Sequence, residues 1–177
     1  MVDLPPDIVA LVAEEKSLIR SPVWDTKSDD RYYVFSVPLV ITSDGTSNFQ
    51  LRVKTSKRFV DRDAIVQLEF APSDKRVTPL WRIEWRAFGL HTNKLWGPPG
   101  FELAVVKLTH EHRFDDNWHS PEHRMRIGNL PAARPINRDP NTLSEFLAFC
   151  GQSFRIKDIR RIEPPLITQD IFWTRDD

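Results

Sequence analysis

The chain has 177 residues, with 25 basic and 25 acidic side chains and a formal net charge of zero. That length fits one domain, 1–177, with a substantial core, and a 40% hydrophobic content with six tryptophans and eleven phenylalanines excludes a disordered chain. Zero net charge removes any whole-molecule field that would call for nucleic acid or an anionic surface, so only local clusters can do so.

No apolar run approaches the roughly 20 residues of a membrane helix, and Met1 to Pro6 lack the basic-then-apolar layout of a signal peptide. The expectation is a cytoplasmic protein with no membrane partner. The single cysteine, Cys150, has no internal disulfide partner; set among Leu147, Phe149 and Phe154, it reads as a buried, inert thiol.

In chain order, Pro5-Pro6-Asp7 followed by Ile8, Leu11 and Val12 at helical spacing predicts an amphipathic helix over about 5–18. From about 31 to 113 the period changes to two. Tyr33, Phe35 and Val37 alternate with polar or smaller neighbours, Ser43-Asp44-Gly45 supplies turn chemistry, and Phe49, Leu51 and Val53 alternate again. Val66, Leu68 and Phe70 share a face of the next strand. Trp81, Ile83 and Trp85 then oppose Arg82, Glu84 and Arg86, and Phe101 to Arg113 completes five strands. Short turns between them predict an α+β fold built on an antiparallel meander. Leu130 to Pro140, with three prolines, reads as an extended crossing. Thr142 as N-cap, with Glu145 three residues on, opens a C-terminal helix over about 142–150 that carries Leu143, Phe146, Leu147 and Cys150 on one stripe, with Gly151 as its expected end. The period of the tail 152–177 decides nothing.

The chemistry is concentrated between Thr109 and Arg126, where four of the five histidines stand among carboxylates and arginines. Period two puts Ala104, Val106, Leu108, His110 and His112 on one face of the last strand, so that face starts apolar and ends in two imidazoles. His-x-His on a strand is a spacing that metal centres use, because alternate side chains converge on one ion. Asp115, Asp116, His119 and His123, in a histidine-rich loop over about 114–127, are placed to complete such a shell. A metal-free site is the other reading: paired imidazoles as general acid and base about a phosphodiester, Arg113, Arg124 and Arg126 binding phosphate, and Asp115 orienting an imidazole. A third is a pair of hydrogen-bonded strand histidines. Whether a divalent metal is needed stays open at this stage.

Arg113, Asp115, Asp116 or Asn117, His119 and His123, followed by a proline-containing connector and a helix with a leucine and a phenylalanine-leucine pair, resemble the Arg-x-Asp-Asn…His-His…His-x-His string of small prokaryotic proteins related to TumE-type toxins. The likeness spans about Trp81 to Gly151, and Met125 stands where the last histidine of that string falls. It implies a toxin-antitoxin or phage-defence protein that acts on RNA and is neutralised by a separately encoded antitoxin; taken with the strand reading, the candidate catalytic groups of such a nuclease are His110, His112, His119, His123 and Asp115.

The alternative expectation is a non-catalytic protein-interaction module or a subunit of a larger assembly, with Trp24, Trp96 and Trp173 as exposed anchors. Either kind of protein can pair through the free edge strands of a meander as an oligomer.

Overall fold

The alternating stretches pair with one another in sequence order. The computed structural model describes residues 4–59, 61–72 and 76–166. Helix α1 (Ile8–Ala13) leads into strand β1 (Lys16–Leu18), followed by β2 (Tyr32–Ile41), β3 (Phe49–Ser56), β4 (Ala64–Phe70), β5 (Thr78–Thr92) and β6 (Val105–His112). Helix α2 (Phe114–Asn117) precedes a small hairpin of β7 (Trp118–His119) and β8 (Arg124–Met125); β9 (Arg134–Pro135) and helix α3 (Leu143–Phe154) follow. The main sheet has seven antiparallel strands in the order β1-β2-β3-β4-β5-β6-β9, and β7-β8 stands apart.

The five expected strands are present, though the last starts at Val105 and not at Phe101, where the chain turns, and two short edge strands enlarge the sheet. β1 replaces the second half of the expected N-terminal helix. Glu14 turns to extended backbone at ψ 155, and Lys16 to Leu18 then pair with Ile41 to Leu39. A six-residue helix gains little by adding a turn, whereas the edge of β2 offers a ready row of backbone partners. β9 turns part of the expected extended crossing into a strand through the pairs His110 with Pro135 and Glu111 with Arg134.

One face of the sheet carries the core. Leu51, Val53, Val66, Leu68, Ile83 and Trp85 are fully buried there and pack with α1 and α3. Trp85 stacks on Phe146 with ring centroids 5.3 Å apart, and Trp81 meets Phe154 edge-on at 5.6 Å. Removing the Phe146 ring would cost about 3–5 kcal/mol. The Thr142 hydroxyl accepts from the Glu145 amide at 3.2 Å and the Glu145 carboxylate accepts from the Asn141 amide, so the predicted cap forms. The helix does not end at Gly151, however. It runs on to Phe154 and closes at Arg155 in the left-handed region, because Gly151 is needed inside it: a Cβ there would lie 2.3 Å from Cγ2 of Ile159. Cys150 is buried as expected, and burial raises its thiol pKa well above the usual value.

The other sheet face is polar, and β5 and β6 distort where they cross it. Their pairing slips between Glu84 and Ala87 and again between Ala87 and His91, with Arg86 and Leu108 at positive φ. Bulges of this kind re-aim side chains. One consequence corrects the simple alternation: Leu108 is 65% exposed instead of continuing the face of His110 and His112. Of the tryptophans expected as exposed anchors, Trp24 is half-buried, edge-on to Phe35 and hydrogen-bonded to the Glu163 carbonyl. Trp173 and the Trp96 side chain lie outside the described residues.

Candidate functional site

The register of β5 on β6 sets Arg82 opposite His112 and Glu84 opposite His110, so these four side chains share the polar face. Nε2 of His110 lies 3.7 Å from Oε2 of Glu84, and Nε2 of His112 lies 3.6 Å from Oε1. Arg82 Nε stands 3.1 Å from Glu84 Oε1. Glu84, His110 and His112 are the one set of three such residues, among the described residues, whose ligand atoms all fall within 4.8 Å of each other. Both imidazoles are essentially inaccessible, at 1% and 0% exposure. They are not the partly exposed pair that the strand pattern left open.

The hydrogen bonds fix the tautomers. Nδ1 of His110 lies 2.9 Å from the Leu108 carbonyl and Nδ1 of His112 lies 2.7 Å from the Leu130 carbonyl. A carbonyl oxygen can only accept, so Nδ1 carries the proton in each ring, and in a neutral ring the lone pair sits on Nε2. Neither Nε2 has a hydrogen-bond partner among the described residues.

Protonation follows from burial and charge. For Glu84, burial opposes ionisation, but the neighbouring His112, Arg82 and His110 together outweigh it and bring the carboxyl down to about 2. Burial dominates at His112 and takes its imidazole down to about 4; burial lowers His110 as well. At neutral pH the group is an ionised carboxylate facing two neutral imidazoles.

A strap over residues 128–133 covers the rings. Gly128, Asn129 and Leu130 all have positive φ, an expensive run for two residues with side chains, and a sign that the surroundings hold the strap in place. Two buried asparagines do so. Asn117 donates to the Ala132 carbonyl at 2.9 Å and accepts from its amide at 2.9 Å; Asn93 makes the same pair of bonds to Ala133, each at 2.7 Å. The strap in turn accepts from Arg82 at the Asn129 carbonyl and from His91 Nε2 at the Pro131 carbonyl. His91, the fifth histidine, packs edge-on against His112 at 4.6 Å.

Of the residues singled out in the sequence, His110 and His112 converge and the others lie elsewhere. His119 sits in the separate hairpin, 3.9 Å from Glu122. His123 is exposed, with its ring against Trp118 and Nε2 near the Pro5 carbonyl. Neither belongs to the Glu84 group. Asp115 faces solvent, 3.9 Å from Arg113, whose guanidinium lies over Trp81. Asp116 is paired with Arg134, Arg124 with Glu122, and Arg126 donates to the Asp116 carbonyl. Trp118 stacks on Phe114 and is a packing residue. Sequence reading missed Glu84, His91, Asn93 and the strap. Glu84 carried a usable signal, since it stands in the polar phase of the same meander as the histidines; the others carried none.

Beside the group, the polar face opens into a cleft of about 740 Å³ bounded by Arg52, Lys54, Arg76, Arg82, Gln67 and Glu69. Glu69 is buried and accepts from Gln50 and Gln67, which leaves the four cations as the cleft's dominant charge. Arg82 and Asn129 belong to both the cleft wall and the surroundings of the imidazoles. No protein-family model, curated protein or solved structure matches this chain. No helix among the described residues is long and apolar enough to cross a membrane.

Proposed function

We propose that this protein is a phosphodiesterase acting on RNA, with its reaction centre at Glu84, His110 and His112 and the RNA backbone lying in the adjoining basic cleft. The observation that supports this reading is the continuity through Arg82, which lines the cleft and stands 3.1 Å from the Glu84 carboxylate. Arg52, Lys54 and Arg76 neutralise successive phosphates, and Arg82 meets the phosphate nearest Glu84, whose carboxylate is the exposed edge of the group. Lys54 lies over the Tyr32 ring at 4.3 Å, so an aromatic face stands behind one of these cations. The likeness to TumE-type toxins adds the setting: a cytoplasmic toxin-antitoxin or phage-defence protein with a separately encoded antitoxin as partner.

Incubation with a labelled single-stranded RNA tests this directly. The native protein cleaves it, folded His110→Ala/His112→Ala protein does not, and Arg52→Ala/Arg76→Ala raises KM about tenfold or more with kcat little changed. Intact RNA after incubation with folded native protein, or equal cleavage by the histidine variant, would overturn the reading. Growth arrest on induction in a bacterial host, absent with the histidine variant, tests the toxin setting separately.

A second reading, the protein-interaction module, draws on a different observation. Along the far half of the β5-β6 hairpin Phe88, Leu90, Leu103, Val105 and Leu108 are each more than half exposed. Exposed apolar side chains gathered in this way mark contact surfaces. In that reading Phe88→Ser/Leu90→Ser abolishes binding of the protein partner recovered with the native chain, while RNA is left untouched by native and variant protein alike.

A further inference from the structure

The contacts among Glu84, His110 and His112 have the wrong length for hydrogen bonds and the wrong protons. At 3.6 and 3.7 Å the Nε2 atoms are beyond hydrogen-bonding reach of the carboxylate. With Nδ1 protonated on both rings, two lone pairs and an anionic oxygen point at the same small volume, and no donor among the described residues answers either Nε2. A buried acceptor left in that state is costly, and here there are two.

Three kinds of occupant can be weighed. Protonating an imidazole to reach the carboxylate fails on length and on the burial of both rings. One water between them fails on proton count, because it offers two hydrogens to three acceptors. A cation satisfies all three at once. Two ligand atoms 2.0–2.2 Å from a shared zinc ion, at tetrahedral to trigonal angles, stand about 3.3–3.8 Å apart, a span that includes the 3.7 Å between His110 Nε2 and Glu84 Oε2, and the ligand atoms of all three residues lie within 4.8 Å of one another.

We propose that Glu84, His110 and His112 are the protein ligands of a divalent transition-metal ion, with zinc the natural occupant. The imidazoles bind through Nε2 and Glu84 through Oε2, its other oxygen being held by Arg82. The Leu108 and Leu130 carbonyls that accept from Nδ1 are the outer partners that metal-bound histidines require: they fix each ring's orientation and make Nε2 a better donor to metal. Two histidines and a glutamate are a known ligand set for catalytic zinc, and three protein ligands leave a coordination position for water. On the RNA reading, an ion held by these three residues would supply an activated water for attack on phosphorus, with the bond from phosphorus to the leaving sugar oxygen breaking and that oxygen taking its proton from solvent. The metal site stands independently of the RNA reading, since it follows from the three side chains alone.

The test is metal binding by chelator-stripped protein, titrated with Zn²⁺ by calorimetry and with Co²⁺ by visible absorption. The native chain binds one ion, with tetrahedral-type Co²⁺ bands and a raised unfolding temperature in Zn²⁺. Glu84→Gln, which keeps the shape of the side chain, and His112→Ala each weaken Zn²⁺ binding about 100-fold or more and lose the Co²⁺ bands. His119→Ala/His123→Ala protein binds as the native does. Nitrogen-detected NMR of the stripped native protein adds a readout that needs no variant: His110 and His112 are both Nδ1-protonated. Absence of one-to-one binding, unchanged affinity in Glu84→Gln protein, dependence on His119 and His123, or Nε2-protonated rings would each overturn the assignment.

Discussion

Lys16 is fully buried, and its ammonium group donates to the Val12 and Glu14 carbonyls at 2.7 Å, both at the end of α1. Burial, with Arg155 nearby, lowers its pKa to about 8. The unfolded chain holds this proton up to about pH 10.5, so above about pH 8 the unfolded state binds more protons and stability rises with pH. Cys150 works in the opposite direction once the unfolded thiol ionises near pH 9, because its folded pKa is raised. Between pH 8 and 9 the lysine dominates, and stability rises by up to about 1.4 kcal/mol. Urea midpoints of native and Lys16→Met protein across pH 7–9 check this: the native midpoint climbs and the variant's stays level. The burial of Cys150 was readable from the sequence; that of Lys16 was not, since it fell within the expected first helix.

At the level of elements, the strap over residues 128–133 determines what the strand histidines can do. Its grip comes from Asn117 at the end of α2 and Asn93 after β5, each matching both backbone polar groups of one alanine. Asn117→Ala leaves the buried amide and carbonyl of Ala132 without partners and costs about 2–4 kcal/mol in urea unfolding. It also frees the Leu130 carbonyl from its place against His112 Nδ1. Loss of such an outer partner lowers metal affinity about 10–100-fold. A variant that loses stability but keeps native Zn²⁺ affinity would show that the strap packs over the ring without orienting it. The N-cap of α3, by contrast, was legible from Thr142 and Glu145 alone, because a capping box needs four consecutive residues and no distant partner.

For the molecule as a whole, a net charge of zero hides an uneven distribution, with Arg52, Lys54, Arg76 and Arg82 gathered at one cleft on the open sheet face. RNA binding there has a definite salt signature. Each phosphate contact adds about 0.7 to the slope of log affinity against log salt for a single strand, so Arg52→Ala/Arg76→Ala flattens it by about 1.4. Arg160→Ala, in the short turn packed with α3 behind the sheet, leaves the slope unchanged. Filter binding between 50 and 300 mM salt, roughly the range in which counterion release is measurable, separates the two. Equal slopes would remove the cleft from the proposed function.

The sequence by itself determined the strands from Tyr32 to His112, the capped helix α3, the buried thiol of Cys150 and the pairing of His110 with His112 on one strand, all of which rest on periods and spacings a few residues long. It did not determine that Lys16 to Leu18 leave the first helix for the sheet edge, that Gly151 lies inside α3 under Ile159, or that His119 and His123 go to a separate hairpin. Nor did it show that the third member of the histidine group would be Glu84, 26 residues before His110, beneath a strap pinned by two asparagines. Those outcomes depend on strand register, on bulges that re-aim side chains, and on buried polar groups finding partners across the fold, and each of these is set only when distant segments pack together.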